Sequence, residues 1–442
     1  MSATSFITQT LSGWGRYPQV PARLARPDRF VELSAWAGEP SLARGAGRSY
    51  GDAAISANGV TVLTTRLNRF LAFDAATGLL RAEAGVTLDD ILQACLAQGW
   101  FLPVTPGTRY VTLGGAVAAD VHGKNHHHVG SFSTCVRELL LFTADGPLRC
   151  SPVQSPEVFW ATVGGMGMTG LIGEVTLQLR RVPSGDMQVQ HLPAANLQAA
   201  LALMSDAAHD DEYTVAWIDC LARGASLGRS VFMRAHHADG APAHGPSPAR
   251  LALPVNLPSL LLNPLTVKAF NSAYYHWVGR RRPPFRSELT PFFYPLDGIR
   301  DWHRLYGKPG FVQYQFVLPE ATSADGLKAV LERLSRSGNA SFLAVLKRFG
   351  PEGQGLLSFP MAGHTLALDL PLRHGTLALL DTLDAIVLDH GGRVYLAKDA
   401  RMSASACARM YPRLDAWREI RARLDPQGHY LSTLGRRLEL HG

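Results

Sequence analysis

Glycine-rich segments recur at short intervals between residues 44 and 170, and they constrain the fold more than any other feature of the sequence. They are RGAGRSYGD (44–52), PGT (106–108), and the glycine pairs at 114–115 and 164–165. Such segments expose backbone N–H groups that no side chain covers, and a pyrophosphate requires clusters of such donors. Several of these loops converging in one domain favour an extended dinucleotide such as FAD.

Residues 165–170 (GMGMTG) match the spacing G-x-G-x-x-G of dinucleotide-binding folds. That fingerprint has to follow a strand and open a helix. Here a helical pattern, EVFWATVGG, precedes the glycines, and a strand pattern, LIGEVTLQLRRV (171–182), follows them. We therefore reject a Rossmann fold and predict a glycine-rich turn that can approach a ligand closely.

The histidines at 122, 126, 127 and 128 raise the question of a metal site. His122 and His126 have i, i+4 spacing, but the zinc motif needs an intervening glutamate, and no cysteine or carboxylate lies among these residues. Three consecutive histidines cannot all face one site. We predict no metal, and a solvated loop for residues 126–128.

Composition excludes several functional classes. The chain has 442 residues, which favours two domains, and only six of its 43 basic residues are lysines, so the net charge of +7 reflects arginine usage. No nucleic-acid-binding motif is present. Five scattered cysteines favour reduced thiols in a cytoplasmic protein. We find no signal-peptide pattern and no apolar run long enough to span a membrane.

The hydrophobic pattern predicts an α+β fold with two domains and a C-terminal segment. The first domain, at 1–182, has short strand patterns and a helix that Thr87 caps. The second domain, at 183–392, alternates strand patterns with two helical patterns. The segment 393–442 is mostly helical, with Pro412 separating two helices.

Three longer motifs carry a family resemblance. RGAGRSYGD, PGTRYVTLGGAVAADVHGKNHH (106–127) and FWATVGGMGMTG (159–170) resemble the flavin domain of the vanillyl-alcohol-oxidase, or PCMH-type FAD-binding, superfamily. Within it, HGKNHH (122–127) and YLAKD (395–399) are similar to the decaprenylphosphoryl-β-D-ribose 2′-oxidases. The resemblance continues through YTVAWID (213–219), VQYQFVLP and VLKRFGP to the C-terminus, so it covers nearly the whole chain.

This resemblance implies a fold, a cofactor and an activity. The fold would be a two-domain PCMH-type FAD-binding fold with an antiparallel-sheet substrate domain. The protein would use FAD to oxidise the 2′-hydroxyl of a polyprenylphosphoryl-β-D-ribose to a ketone. A separate short-chain reductase would then complete the epimerisation to the arabinose form.

The resemblance also assigns site residues. Those expected to hold FAD are Gly45, Gly47, Arg48, Ser49, Tyr50, Pro106, Gly107, Thr108, Gly114, Gly115, Ala118, His122, Gly123, Asn125, Ile172 and Tyr395. Those expected on the substrate side are Tyr50, Lys124, Trp217, Gln313, Gln315, Lys347, Asp369 and Lys398. The expected catalytic residues are Lys398, His122 and Tyr395.

Chemistry supports part of this assignment independently. Oxidising a secondary alcohol requires removal of the hydroxyl proton and stabilisation of negative charge, which a lysine such as Lys398 can supply. Of the six lysines, those at 124, 347 and 398 match family positions. Gln313 and Gln315 alternate with Tyr314 on a predicted strand and share one face. Two amides on one face suit sugar hydroxyls; a polar outer face is the alternative.

Two departures from the family pattern matter. Many relatives tether the flavin through a histidine, but the corresponding residue here is Arg48, so we expect FAD to be held noncovalently. Mycobacterial members carry a cysteine that covalent nitroaromatic inhibitors attack, and Ala367 occupies that position here. Two other functions stay open: an oxidase of a water-soluble alditol or aldonolactone, and a flavin-fold protein that binds without turnover.

Residues 251–285 contain apolar stretches interrupted by prolines, followed by aromatics and the cluster Arg280-Arg281-Arg282. Aromatics beside basic residues suit the headgroup layer of an anionic membrane. We therefore expect a mobile, membrane-facing flap over the substrate entrance, and peripheral contact with the inner membrane. A buried contact between domains or protomers is the alternative.

Overall fold

The structure is a computed structural model that describes residues 6–36, 38–207, 211–240, 245–249, 251–258, 262–280, 283–339, 341 and 343–441. Helices and strands alternate along these residues, and the larger sheets are antiparallel. The predicted α+β class is therefore confirmed.

The first part of the chain forms a small sheet and a larger antiparallel sheet. The small sheet follows the order β1 (Ile7–Ser12), β2 (Gln19–Ala25), β4 (Val60–Leu63) and β3 (Ser41–Arg44). The larger sheet follows the order β5 (Phe70–Asp74), β6 (Leu79–Glu83), β10 (Leu171–Gln178), β8 (Val136–Thr143) and β9 (Gly146–Cys150). Two short strands, β7 (Trp100–Phe101) and β11 (Arg180–Arg181), pair with each other. β3 ends where the first glycine-rich segment begins.

The helices of this part begin and end at residues that the sequence marks. They are α1 (Leu88–Cys95), α2 (Leu113–Ala118), α3 (His126–Val129) and α4 (Pro156–Thr162). The predicted cap of α1 is confirmed, because Thr87 Oγ1 accepts from Asp90 N while the Asp90 carboxylate accepts from Thr87 N. α4 precedes the glycines at 165–170 and β10 follows them, which is the order that excluded a Rossmann fold.

The second part of the chain is built on a large antiparallel sheet. Its order is β16 (Phe285–Ser287), β12 (Met187–Ala194), β14 (Ser230–His237), β13 (Tyr213–Ile218), β19 (Ala344–Phe349), β20 (Gly363–Pro371), β18 (Phe311–Pro319) and β21 (Arg393–Val394). The strands β15 (Leu251–Ala252) and β17 (Ile299–Arg300) form a separate parallel pair. Side chains alternate along a strand, so the odd-numbered residues of the large sheet lie on one face and the even-numbered residues lie on the other.

One face of the large sheet is covered by α5 (Leu197–Ala207), α8 (Ser323–Ser337) and α9 (Thr376–Asp389). Leucines of α8 and α9 pack there against even-numbered residues of β18 and β20 in one hydrophobic core. The opposite face carries odd-numbered residues and is turned toward the first part of the chain. The remaining helices are α6 (Pro264–Val278), α7 (Leu289–Phe293), α10 (Ala404–Met410), α11 (Leu414–Leu424) and α12 (Thr433–Arg437).

The C-terminal segment packs back onto the first part of the chain. Trp417 Nε1 donates to the Ala161 carbonyl at 2.8 Å, and Arg437 forms ion pairs with Asp52 and Asp399, each at 2.8 Å. α10 and α11 end and begin on either side of Pro412, as predicted. These contacts bring residues 395–399 against the first glycine-rich segment.

The predicted solvated loop at residues 126–128 is wrong. These residues start α3, His126 is buried, and its Nδ1 accepts from Gly350 N at 3.1 Å. His127 and His128 both contact the Asp211 carbonyl. The run is therefore tied to two other parts of the chain, a role that its polarity does not indicate. Within the described residues, no group of three metal-ligating side chains could hold an ion.

The segment 251–285 contains more helix than its prolines suggested. Asn263 caps α6 and Pro264 occupies the first helical position, where its missing N–H leaves no hydrogen bond unmade. α6 then runs for 15 residues. Residues 259–261 lie outside the described residues, and so do Arg281 and Arg282 of the arginine cluster.

Candidate active site

A cavity of about 740 Å³ lies between the glycine-rich segments and the odd-numbered face of the large sheet. Most residues that the sequence assigned to the site line it: Gly45, Gly47, Arg48, Ser49, Tyr50, Pro106, Gly107, Thr108, Gly114, Gly115, Ala118, His122, Lys124, Ile172, Trp217, Gln313, Gln315, Lys347, Tyr395 and Lys398. Gly123, Asn125 and Asp369 do not line it. Residues distant in sequence therefore converge on one cavity.

Close backbone approaches explain why glycine occupies the first segment. A Cβ on Gly45 would collide with Thr112, which caps α2, and a Cβ on Gly51 would collide with the Asp399 carbonyl. Gly47 adopts a φ of +64°, which favours glycine. The segment is thereby held between α2 and the C-terminal segment, with its backbone facing the cavity.

Several buried polar atoms in the cavity wall have no protein partner. Among the described residues, no group accepts from Arg48 Nε or pairs with Ser49 Oγ or His122 Nδ1. The Arg48 guanidinium lies 3.9 Å from the Trp14 ring centroid, and burial lowers the pKa of Arg48. Unmade bonds of this kind are costly unless a ligand satisfies them. These groups beside the glycine cradle fit a pyrophosphate-containing cofactor.

His122 lines the cavity as a neutral imidazole. Gln315 Nε2 donates to His122 Nε2 at 2.9 Å, so the imidazole proton is placed on Nδ1. Burial, followed by the charges of Lys347, His126 and Lys398, lowers the pKa of His122 well below its usual range. The ring packs against Phe349 and Tyr395. His122 therefore presents an N–H donor and no positive charge.

Lysines are concentrated in the cavity. All six lie among the described residues, and Lys124, Lys347 and Lys398 line the cavity. Burial lowers the pKa of Lys347 to about 8 and that of Lys124, which Lys347 also lowers, to about 7. Lys124 Nζ donates to the Phe293 carbonyl at 3.1 Å. Three amines in one cavity favour an anionic ligand.

Lys398 has the environment of a reactive amine. Its Nζ lies 4.0 Å from the Tyr50 ring centroid, and no described residue accepts a hydrogen bond from it. Burial lowers the pKa of Lys398 to about 7, although Asp369 opposes the shift. A lysine whose pKa lies near neutrality can exchange a proton at physiological pH.

The sheet wall of the cavity follows from strand register. Trp217 lies opposite Val345, Val345 opposite Ala367, and Ala367 opposite Gln315, so these four side chains form one row. The Trp217 ring is covered by Tyr274 of α6 at a centroid distance of 4.7 Å. Ala367 is the smallest residue of the row, and it leaves space between the apolar side chains and Gln315.

The three predicted residues outside the lining support it from behind. Asn125 Nδ2 donates to the Pro103 carbonyl at 2.9 Å, and a Cβ on Gly123 would meet Asn125 Oδ1. Asp369 is fully buried and accepts from Gln313 Nε2, and burial raises the pKa of Asp369 to about 7.

Tyr395 lines the cavity, but its hydroxyl hydrogen is used within the protein: the hydroxyl donates to the Ala119 carbonyl at 2.7 Å.

Sequence reasoning missed several lining residues. Trp14 and Asp297 line the cavity beside Arg48, and Phe270 and Tyr274 of α6 line the substrate side. Asp297 Oδ2 accepts from Arg109 N at 2.9 Å. No local sequence pattern predicts that Trp14 lines the cavity, because its partner Arg48 comes close to it only in the folded chain. The sequence predicts a membrane-facing segment for the aromatics of α6 and does not indicate that Phe270 and Tyr274 also line the cavity.

Comparisons with known proteins agree with this geometry. A family model described as FAD binding domain matches residues 21–151, and one described as D-arabinono-1,4-lactone oxidase matches residues 371–438. A decaprenylphosphoryl-beta-D-ribose oxidase of Mycolicibacterium smegmatis is 38% identical over 100% of both chains. An alditol oxidase of a Streptomyces species is 26% identical over 95% of this chain and 94% of its own. An L-gulono-1,4-lactone dehydrogenase of Mycobacterium tuberculosis is 23% identical over 96% and 98%.

Proposed function

Because the chain belongs to the decaprenylphosphoryl-β-D-ribose oxidase family, we propose that it oxidises the 2′-hydroxyl of a polyprenylphosphoryl-β-D-ribose to a ketone. The single observation that carries this proposal is the convergence of Lys124, Lys347 and Lys398 on one cavity, which the row of Trp217, Ala367 and Gln315 also lines. The amines suit an anionic phosphoryl group. The sheet row suits a sugar ring beside an apolar tail.

FAD is the cofactor of this domain, and when bound it supplies the two-electron acceptor for the alcohol. The backbone of Gly45, Gly47 and Gly107 and the buried donors of Arg48 and Ser49 would hold its pyrophosphate side. His122 Nδ1 and the residues of α2 would hold its ring system. Arg48 cannot form the covalent tether of a histidine, so we propose that these contacts alone retain the cofactor.

The chain's own residues divide the chemistry among them. Lys398, with its pKa near neutrality, takes the proton of the substrate hydroxyl, and as an ammonium group it then stabilises the negative charge that develops beside it. Lys347 and Lys124 bind the substrate's phosphoryl group. Tyr395 positions the site, because its hydroxyl is bonded to the Ala119 carbonyl and its ring packs against Phe359. The ketone product is the substrate class of a separate short-chain reductase.

Substrate screening under anaerobic conditions tests this function. Farnesylphosphoryl-β-D-ribose should bleach the flavin band of the holoprotein, whereas xylitol and an aldonolactone should leave it unchanged. Oxidation of a free alditol or lactone, with no oxidation of the lipid-linked sugar, would instead favour the second candidate, for which the match of residues 371–438 to D-arabinono-1,4-lactone oxidase is the supporting observation. Bleaching by none of the three would favour binding without turnover.

We also propose that α6 contacts the membrane in which a polyprenyl substrate resides. No helix in the described part of the chain is long and apolar enough to cross a bilayer. Leu265, Phe270 and Trp277 of α6 are nevertheless 80%, 48% and 67% exposed. Exposed basic residues, Lys268 and Arg280, lie beside them, which suits an anionic surface.

Contacts on the inner side of α6 connect this surface to the cavity. Asn271 Nδ2 donates to Asp219 Oδ1 at 2.7 Å, while Tyr274 covers Trp217. A lipid tail could therefore remain in the bilayer while its sugar reaches the sheet row.

Vesicle sedimentation with a double variant, Leu265→Ser and Trp277→Ser, tests the contact, and Val153→Ser is a matched control because Val153 is 91% exposed on another surface. The double variant should lose binding to anionic vesicles and the control should retain it. Equal sedimentation of both variants would refute the contact.

A further inference from the structure

The two glutamines on the cavity face of β18 have fixed amide orientations. Gln315 Nε2 lies 2.9 Å from His122 Nε2 and 3.2 Å from Thr365 Oγ1. Thr365 donates its only hydroxyl hydrogen to the Phe316 carbonyl at 2.8 Å, so its oxygen can only accept from the amide. If the amide were flipped, Gln315 Oε1 would face Thr365 Oγ1, and neither oxygen would have a hydrogen to donate to the other. Gln315 therefore uses both of its N–H groups on the protein.

Gln313 is oriented by a different group. Its Nε2 donates to Asp369 Oδ1. A carboxylate only accepts hydrogen bonds, so the ionised form of Asp369 requires the nitrogen side of the amide. The nitrogen side of the Gln313 amide is therefore turned toward Asp369, which does not line the cavity.

It follows that each glutamine has an uncommitted carbonyl oxygen. Both residues line the cavity, and no group among the described residues donates to Gln313 Oε1 or Gln315 Oε1. The amines of Lys347 and Lys398 line the same cavity, so the wall offers hydrogen-bond donors as well as these two acceptors.

We propose that Gln313 and Gln315 form an acceptor pair that selects a ligand with two hydroxyl donors, and that Asp369 is a positioning residue acting through Gln313. This inference rests on the proposed function and deepens it. A ribosyl substrate has free hydroxyls besides the one that is oxidised, and these can donate to the pair. A ligand in which fluorine replaces such a hydroxyl keeps its size but loses the hydrogen, so a buried acceptor is left unpaired.

The first test compares analogues on the wild-type holoprotein. Farnesylphosphoryl-β-D-ribose is compared with its 3-fluoro-3-deoxy and 5-fluoro-5-deoxy analogues, by kcat/KM for flavin reduction and by calorimetric binding. We expect at least one analogue to lose about 10²-fold or more in kcat/KM, with a matching loss of affinity. If both analogues remain within about threefold of the parent, less than one ordinary hydrogen bond contributes, and the acceptor pair is refuted.

A parallel comparison separates this inference from the proposed function. Xylitol and 3-fluoro-3-deoxyxylitol are measured in the same way. If xylitol is oxidised and farnesylphosphoryl-β-D-ribose is not, the proposed function fails. Loss of activity with 3-fluoro-3-deoxyxylitol would then still support the acceptor pair, and retention of activity with it would overturn the pair. If the protein binds neither the lipid-linked sugar nor xylitol, both proposals are wrong.

The second test changes Asp369→Asn, with Asp384→Asn as the matched control. An asparagine can also donate, so the amide of Gln313 is free to rotate and offer its N–H groups to the cavity. We expect the ratio of kcat/KM between parent and fluorinated analogue to fall about tenfold or more, with the larger change in KM. Asp384 accepts from the Tyr314 hydroxyl at 2.9 Å on the opposite face of the same strand, so its variant should keep the ratio.

Taking a ratio removes any rate effect that both substrates share, including the influence of Asp369 on Lys398. An unchanged ratio in Asp369→Asn would overturn the positioning role. If that variant fails to retain FAD, the analogue comparison on the wild-type protein still decides the acceptor pair.

Discussion

Replacing Lys398 by methionine should abolish turnover without unfolding the protein. Methionine keeps the length of the side chain but can neither accept a proton nor carry a charge. Loss of a positioned proton acceptor typically lowers rates by 10²–10⁴-fold, and loss of a charge-stabilising donor by about 10²–10³-fold. Because one group performs both roles, we expect flavin reduction to slow by at least about 10³-fold.

The structure indicates that this substitution does not destabilise the fold. The contact between Lys398 Nζ and the Tyr50 ring, at 4.0 Å, is worth about 0.5–2 kcal/mol. Burial opposes this contribution, because it lowers the pKa of Lys398 to about 7 and thus disfavours the charged form in the folded state. The effect of burial is the larger of the two, so the melting temperature of Lys398→Met should be no lower than that of the wild type, and its FAD content should stay close to that of the wild type.

The assay is anaerobic stopped-flow bleaching of the flavin band across pH. Only the neutral amine accepts a proton, so wild-type kcat/KM should fall as pH decreases through the pKa of Lys398, which is about 7. Lys398→Arg should be as slow as Lys398→Met, since arginine stays protonated. Wild-type rates in Lys398→Met would refute the assignment, and substantial activity in Lys398→Arg would refute proton transfer while leaving a purely electrostatic role.

Three further predictions concern the same cavity. Acid precipitation should release all FAD into the supernatant, because Arg48 offers no covalent tether; flavin retained in the pellet would contradict this. Ala367→Cys should place a thiol in the cavity wall that a small nitroaromatic or alkylating reagent modifies, detected by intact mass, whereas wild-type protein at this strand stays unmodified; an adduct on the wild-type strand would show that the position is misassigned. Stability of FAD-free protein in denaturant should rise with pH from about 7 to about 9, by up to about 1.4 kcal/mol per pH unit for each of the three cavity lysines, while above about 9 the five buried cysteines, whose pKa burial raises, act in the opposite sense. The sign of the rise follows because the folded pKa values of these lysines lie below the unfolded value of 10.5, so the unfolded chain binds more protons in that range; a stability that falls from about pH 7 to about pH 9 would contradict it.

Local chemistry made much of the first part of the chain predictable from sequence. Thr87 and Asp90 form a capping box that depends on neighbours three residues apart, and the order of α4, the glycines at 165–170 and β10 excluded one fold directly. The family resemblance placed most of the cavity lining, including residues as distant as Tyr50 and Lys398. These predictions succeed because their signals are either local or contained in whole motifs.

Other features depend on tertiary partners that no local pattern reveals. His126 is polar, yet it is buried because Gly350 donates to its ring from the second part of the chain. Asp369 is predicted on the substrate side, but it is fully buried beside its cross-strand partner Gln313 and does not line the cavity. Pro264 suggested a break, yet at the first position of a helix it favours the start of α6. For His126 and Asp369 the deciding contact lies far away in sequence, whereas Asn263, which caps α6, directly precedes Pro264.

The return of the C-terminal segment to the first glycine-rich loop has a consequence for biogenesis. Tyr50 N donates to the Ala397 carbonyl at 3.0 Å, and Gly51 packs against Asp399, so the loop gains these supports only after residues 397–399 leave the ribosome. Arg437, which holds Asp52 and Asp399, is synthesised later still. Cofactor capture should therefore be a late, post-translational event. A nascent chain stalled before residue 395 would display its glycine-rich loops and lack both Tyr395 and Lys398, so flavin supply in the cell would act on finished chains awaiting their cofactor.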